Sequence, residues 1–295
     1  MRLVMFEPKG QPSRLGVLRS HEVVDLAAAA DQSGATAECF ASTTQFLEAG
    51  EEALSSAQSL LTSPTTAAYE LAAVRLGAPV PRPGKIVAIG LNYRDHSLEQ
   101  GVQPPSAPLF FAKFPTSVTG PYDPIVLPAG DPQVDYEAEL AVIIGRRAKA
   151  VPKGHAMEYI GGYTVLNDVS ARKWQFADKQ WVRGKSCDTF CPIGPWLTTR
   201  DDVPDPHHLD IAARVNGVTL QDSNSSKLIF RIPQLIAYIS ASITLGPGDI
   251  IATGTPEGVG VFRNPPIFLK AGDIVEVEIN GLGKLRNPVQ DVAAG

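Results

Sequence analysis

Val134-Asp135-Tyr136-Glu137-Ala138-Glu139-Leu140-Ala141-Val142-Ile143-Ile144 carries the signal from which both fold and chemistry are read. As a β-strand over Tyr136 to Gly145, it places Glu137 and Glu139 on one face, because side chains two apart in a strand point the same way. That face continues into Ala141 and Ile143, where the strand becomes buried. Like charges held close together away from water need a proton or a cation between them. Taken alone, the segment reads more simply as a half-solvated strand with an acidic outer face. The rest of the chain decides between the two.

Working outward, the flanking sequence is rich in strands. Further candidates are Lys85 to Gly90, Leu109 to Ala112, Gly162 to Asn167, Leu209 to Val215, Asp249 to Thr253 and Asp273 to Ile279. Helices are fewer after residue 80: Ser170 to Phe176, and Ile232 to Ile243 with Pro233 in its first turn. Strands in clusters argue against a doubly wound parallel sheet and for a twisted β roll or sandwich, an α+β fold that is mainly β. Gly248-Asp249-Ile250-Ile251 and Gly272-Asp273-Ile274-Val275 read as local turn chemistry leading into strands.

The first eighty residues look like a small α/β unit. Leu3 to Phe6, Arg14 to Leu18 and Glu22 to Leu26 are short strands. A helix is expected from Thr43 to Leu61, with Leu47, Leu54 and Leu61 on one stripe, Ser42 or Thr43 as cap and Pro64 closing it. The proline-rich Gly77-Ala78-Pro79-Val80-Pro81-Arg82-Pro83-Gly84 marks a boundary, giving domains at 1–80 and 81–295.

Composition sets bounds. The chain has 295 residues, 44% hydrophobic and 19% charged, and a net charge of −5. It can bury a full core, and nothing in its charge points to nucleic acid or an anionic membrane as partner. No apolar run has the length of a membrane-spanning helix. The Met1 to Phe6 segment looks like a strand, not a leader. The expected location is cytoplasmic, or the mitochondrial matrix if a presequence was removed. Cys39, Cys187 and Cys191 make neither a disulfide framework nor a zinc site, and Cys187 and Cys191 read as buried structural thiols.

Several motifs are set aside. Gly184-Lys185-Ser186 lacks the glycine five positions earlier that a phosphate-binding loop needs, since Lys179 stands there. Gly254-Thr255-Pro256-Glu257-Gly258-Val259-Gly260 is not a dinucleotide fingerprint. No G-x-S-x-G elbow is present. His207-His208 reads as an exposed loop.

What remains is a constellation. Asp168, after the strand ending at Asn167, would be a helix N-cap or a third oxygen ligand beside Glu137 and Glu139. Three carboxylates without His or Cys form a hard-cation set, favouring Mg²⁺, with Mn²⁺ or Ca²⁺ possible. His96 and Glu99 stand three apart, so on a helix the carboxylate would orient the imidazole as a general base. Lys185, among glycine and aromatic neighbours, is either a solvated lysine or a holder of an anionic substrate.

The order Gly-Leu-Asn-Tyr-x-Asp-His-x-x-Glu, Asp-Tyr-Glu-x-Glu-Leu, Asn-Asp-Val-Ser-Ala-Arg, Gly-Lys-Ser and Thr-Gly-Thr-Pro-x-Gly-Val-Gly resembles the fumarylacetoacetate hydrolase family over residues 84 to 289. Ser170 to Gln175, Asp188 to Pro192 and Gly260 to Arg263 most resemble its "domain-containing protein 2" branch. The resemblance implies a mixed β-sandwich roll, usually a homodimer. It implies Mg²⁺ or Mn²⁺ on Glu137, Glu139 and Asp168, and His96 with Glu99 as base on a loop that can order over the substrate. Lys185, Arg172, Gln175 and Thr255 would bind the substrate's carboxylate and oxo oxygens. Asp95 matches a position that adds a metal ligand in fumarylacetoacetase itself.

The implied substrate is a 2-oxo acid held as its enolate by the cation. The first expectation is C–C hydrolysis of an acylpyruvate. Oxaloacetate keto–enol tautomerisation stands close behind, with decarboxylation using the same site. A non-catalytic metabolite-binding protein is the reading from another class, and the presence of base, ligands and lysine speaks against it.

Overall fold

The computed structural model describes residues 1–62, 67–130 and 132–292. At its centre is the strand Ala138–Ile144, buried along its whole length. It is hydrogen-bonded on both sides, antiparallel to Ile160–Asn167 and to Ile250–Ala252. Its side chains alternate between two cores. Leu140, Val142 and Ile144 join a cluster with Val165, Leu235, Val275 and Val277. Ala141 and Ile143 join another with Leu26, Phe46, Leu47, Ala53 and Ile250. A run of apolar residues without polar alternation is what a strand covered on both faces requires.

This strand sits within a 12-stranded sheet whose main path runs 68–70, 22–25, 14–19, 2–8, 191–199, 160–167, 138–144, 250–252, 86–90, 109–113. A 5-stranded sheet of 218–224, 210–215, 274–279, 283–291 and 125–127 covers one face. There Asp210–Val215 and Ile274–Ile279 do alternate, burying Ile211, Ala213, Val275 and Val277 inward. The helices Leu26–Ser33, Thr43–Ala49 and Glu51–Thr62 pack on the other face. The fold is α+β and mainly β, two large sheets, a two-stranded ladder of 134–135 with 170–171 and a helical cover, as the strand clusters lead one to expect. Strand Arg2–Pro8 pairs with Cys191–Thr199, so the first residues of the chain extend the central sheet.

Several local expectations need correction. The helix expected from Thr43 to Leu61 is two helices, because Gly50 takes φ 60 and breaks the run. Ser42 is its cap, its side chain accepting from the backbone N–H of Gln45 at 3.2 Å. Pro64 lies outside the described residues. Among the strands that escaped the sequence are three long ones, Cys191–Thr199, Val218–Asn224 and Gly283–Asp291. The first hides behind Pro192 and Pro195, which normally argue against an inner strand. Here the register with 160–167 slips between Tyr163 and Val165, opposite Pro195, so the ladder accommodates that proline at an irregularity.

The Gly-Asp turns are as expected. Gly248 and Gly272 take φ 81 and 93. Asp249 and Asp273 each accept from the backbone N–H three residues earlier, Gly246 at 2.6 Å and Lys270 at 2.9 Å. His207 is buried, not exposed, and its Nε2 accepts from the N–H of Ile232 at the start of helix Ile232–Ser242. Cys191 is buried, with its thiol pushed up to about 12 by burial, whereas Cys187 is only partly covered.

Candidate active site

Glu137 lies just ahead of the central strand, not in it. The sequence extends the strand back to Tyr136, but pairing begins at Ala138. The backbone of Glu137 is tied instead to the end of the neighbouring strand: its N–H donates to Asn167 Oδ1 (3.0 Å) and its carbonyl accepts from the Asp168 N–H (2.9 Å). Because strands 138–144 and 160–167 are antiparallel, the start of one lies beside the end of the other. That is why residues thirty positions apart converge. Glu139 does face the same side as Ala141 and Ile143, in the strand proper.

Asp168 is not a helix cap. The helix it was expected to open, Arg172–Ala177, starts four residues later, after Ala171 and without a side-chain cap. The carboxylate is instead fully buried among other site groups. One oxygen each from Glu137, Glu139 and Asp168 lie within 4.8 Å of one another.

The cations around them are ordered. Lys185 Nζ donates to Glu137 Oε2 (2.7 Å) and Asp168 Oδ2 (2.9 Å). Arg172 spans Asp135 Oδ1 (2.6 Å), Glu137 Oε1 (2.6 Å) and Gln175 Oε1 (3.0 Å). Lys113 Nζ donates to Asp168 Oδ1 (2.6 Å) and to the Lys185 carbonyl. Glu139 has a weaker set, the N–H of Gly254 at 2.8 Å.

Protonation follows from these neighbours. Burial would raise Glu137, but the Lys185 and Arg172 charges outweigh it and hold the group down to about 2. Burial raises Glu139 well above the usual carboxylate range, and the charges of Asp168 and Glu137 push the same way. Burial also raises Asp135 to about 6 against the pull of Arg172. Burial disfavours the Lys185 ammonium, yet Asp168 and Glu137 more than compensate and raise it. Four carboxylates (135, 137, 139, 168) thus face three cations (113, 172, 185). One negative charge is left over, and Glu139, the carboxylate without a cation partner and raised most by burial and its like-charged neighbours, is where a proton is held most tightly. A hard divalent cation fits this donor set: oxygens alone, buried, and carrying charge that the protein's own cations leave unbalanced.

His96 and Glu99 do meet as the spacing suggests. They lie on a short helix, Arg94–Glu99, with His96 Nδ1 2.9 Å from Glu99 Oε2. Glu99 Oε1 accepts from the N–H of Gly258, which fixes the carboxylate to the Thr-Gly-Thr-Pro-x-Gly loop. The other imidazole nitrogen, Nε2, is 2.7 Å from the side-chain nitrogen of Gln100. Phe262 packs beside the ring. Asp95 is turned away, accepting from Lys227 Nζ (2.8 Å) and Ser223 (3.1 Å), and does not join the carboxylate group.

Part of this arrangement opens on one cavity of about 80 Å³, lined among others by His96, Gln100, Glu137, Arg172, Gln175, Lys185 and Thr255, with Phe111, Trp181 and Phe262 as apolar wall; Glu139, Asp168 and Glu99 are not in its lining. Thr255 is held by Gln221, whose Nε2 donates to its Oγ1 at 2.8 Å. Larger grooves of about 590 and 620 Å³ contain none of the three carboxylates. The chemistry decides for the smaller space.

The structure thus gathers every residue singled out in the sequence except Asp95. It adds Lys113, Asp135 and Gln100. Lys113 could have been noticed as a lysine ending the apolar run Leu109-Phe110-Phe111-Ala112. Asp135 and Gln100 gave no signal beyond their nearness to Glu137 and His96.

Comparison with known proteins agrees. The chain is 47% identical over 292 residues to the mitochondrial oxaloacetate tautomerase of Xenopus laevis, covering 98% of this chain and 90% of that protein. It is 50% identical over 250 residues to a mitochondrial oxaloacetate tautomerase of Homo sapiens, covering 83% and 79%. A crystal structure of maleylpyruvate hydrolase from a Sphingobium species, in complex with manganese(II) and pyruvate, superposes with a TM-score of 0.81 at 36% identity over 99% of both chains. The family described as fumarylacetoacetate (FAA) hydrolase C-terminal matches residues 85–290, and the chain belongs to the fumarylacetoacetate hydrolase family.

Proposed function

We propose that this enzyme is an oxaloacetate keto–enol tautomerase that works with Mg²⁺, or Mn²⁺, on Glu137, Glu139 and Asp168. The observation that carries the reading is a shared cavity: of three buried carboxylates whose oxygens lie within 4.8 Å of one another, Glu137 lines the same space of about 80 Å³ as His96, whose Nδ1 is held by Glu99. Drug-sized ligands occupy roughly 300–1,000 Å³, so this space suits a four-carbon diacid better than a long acylpyruvate. The names of the Xenopus and human relatives point the same way. C–C hydrolysis, the first expectation from sequence, stays the second reading, favoured by the maleylpyruvate hydrolase likeness.

The cation, when bound, supplies Lewis-acid stabilisation of negative charge on the 2-oxo oxygen. The chain's residues do the rest. His96 takes a proton from C3 at Nε2, and Glu99 stabilises the imidazolium through Nδ1–H. Lys185, itself buried, adds fixed positive charge beside the developing oxyanion. Thr255, oriented by Gln221, offers its hydroxyl to a substrate carboxylate. Arg172 and Gln175 are engaged with each other and with Asp135 and Glu137, so their contact with substrate requires part of that network to open.

We further propose a homodimer, supported by exposed apolar side chains at one edge: Leu109 and Phe114 at the two ends of the strand that ends the large sheet, and Tyr238 of helix Ile232–Ser242, which packs on Phe110 of that strand. Among the described residues no helix is long and apolar enough to cross a membrane. The relatives' names support the mitochondrial alternative over the cytoplasmic one. The functional test is product analysis with Mg²⁺-loaded enzyme. Loss of the enol absorbance of oxaloacetate giving only the keto acid supports the tautomerase. No effect on oxaloacetate, with cleavage of acylpyruvates to two acids, supports the hydrolase instead.

A further inference from the structure

His96 has two ring nitrogens and both are taken. Glu99 is a carboxylate and accepts only, so Nδ1 must carry the hydrogen at 2.9 Å and the neutral ring keeps its lone pair on Nε2. At 2.7 Å from that lone pair stands the amide nitrogen of Gln100, which can donate. The residue is one turn along from His96, where helix Arg94–Glu99 ends before Gly101 at φ 66. Its side chain therefore lies on the same helical face as the imidazole and lines the same cavity.

We propose that Gln100 is a positioning residue that reserves the Nε2 lone pair of His96 for proton transfer on the substrate and withholds it from water, so that this cavity tautomerises instead of hydrolysing. The inference rests on the tautomerase reading above. Hydrolysis requires a water on Nε2, giving up its proton there as its oxygen attacks a carbonyl. A single water offers Nε2 one hydrogen bond and must be immobilised to do so, whereas the Gln100 amide offers the same bond while already tethered. The amide wins that exchange. A dicarboxylate anchored elsewhere in the cavity brings its own binding energy and displaces the amide. The C3 proton then moves to Nε2, its electron pair becomes the C2–C3 double bond, and the carbonyl pair goes to the 2-oxygen. The proton is returned to that oxygen. Between these steps the amide, turned half a rotation, can accept from the imidazolium Nε2–H through its oxygen and keep the proton in place.

The test compares wild type, Gln100→Ala, Gln100→Met and Gln100→Glu, all loaded with Mg²⁺ and checked for native thermal unfolding. Each is assayed on oxaloacetate tautomerisation and on cleavage of acetylpyruvate. Removing the side chain whose oxygen holds the imidazolium proton between the steps should lower the tautomerase kcat about tenfold, the weight of one hydrogen bond, with KM changed far less. Gln100→Ala, which also makes room for water, should raise the ratio of cleavage to tautomerisation. Gln100→Glu keeps the length and can accept from the imidazolium but cannot donate to the neutral ring, so it should recover kcat without restoring the wild-type ratio. Wild-type kcat and an unchanged ratio in the Ala and Met variants would overturn the inference and leave the tautomerase reading standing. A wild-type enzyme inactive on oxaloacetate would overturn that reading and the inference with it.

Discussion

Glu139 is the residue on which the electrostatics of the site turn. Burial and the charges of Asp168 and Glu137 raise it well above the usual carboxylate range, so the metal-free protein holds a proton there more tightly than an ordinary carboxylate does. A dication has to displace that proton. Mg²⁺ binding should therefore release protons and tighten as pH rises, and titration calorimetry in two buffers of different ionisation heat would show different apparent heats. Equal heats would contradict this. The stability sign follows: a raised carboxylate stabilises the fold fully below its unfolded value and loses that contribution as pH rises through the folded one. The metal-free protein should lose stability toward alkaline pH, and Mg²⁺ should restore it. Lys113 makes a second case. It is fully buried against Asp168, so Lys113→Met leaves a buried charge short of a partner and should cost about 3 kcal/mol in denaturant unfolding. A loss under about 1 kcal/mol would mean the pair is dispensable. At this scale the sequence was readable where chemistry depends on spacing, as with His96 and Glu99. It was silent where a side chain meets its partner only through tertiary structure. Lys113 and Asp168 are 55 positions apart, and no local pattern links them.

Two short helices carry much of the site's polar machinery, and a glycine lets them touch. Arg172–Ala177 presents Arg172 and Gln175, and Val182–Lys185 presents Lys185. A Cβ at Gly184 would lie 2.7 Å from the Gln175 backbone nitrogen and 2.8 Å from the Ala171 carbonyl oxygen, both backbone atoms that yield little. Gly184→Ala should push the two helices apart and draw Lys185 off Glu137 and Asp168. The expected result is a kcat at least about tenfold lower with far-ultraviolet circular dichroism retained, corresponding to the roughly 1–3 kcal/mol of an overpacked contact. An unchanged kcat would show that Lys185 is placed by other means. The Gly-Lys-Ser triplet is set apart from a phosphate-binding loop by the sequence alone, since Lys179 stands where that loop has a glycine, but the reason for Gly184 is visible only in the packing. Elements with clean patterns were legible: the apolar 138–144 strand, the alternating 274–279 strand and the helix from Ile232. Those with mixed signals were not. Gly50 split a helix that its leucine stripe drew as one, and two prolines concealed Cys191–Thr199.

Across the whole molecule, the 1–80 and 81–295 division remains a proposal, and the packing makes it testable. Leu26, Phe46 and Leu47 share a core with Ala141, Ile143 and Ile250, and Leu3 pairs with Leu197 in the central sheet. A chain of residues 81–295 should therefore be insoluble or lack a cooperative thermal transition; a soluble, active fragment would show that the second segment holds the site unaided. The sequence disclosed the family and most of the constellation because motifs in fixed order survive without coordinates. It did not disclose how the small N-terminal unit joins the sheet, since that joining is a pairing of strands nearly two hundred residues apart. The central claim is that three buried carboxylates hold a dication beside the His96 base. The most direct measurement is the rate at which enol-oxaloacetate loses its ultraviolet absorbance, before and after exhaustive chelation and on return of Mg²⁺, in wild type and in Glu137→Gln. The rate should collapse on chelation, recover with Mg²⁺ in wild type, and stay near the uncatalysed value in the variant. Full activity after chelation, or a variant as fast and as metal-dependent as wild type, would contradict it.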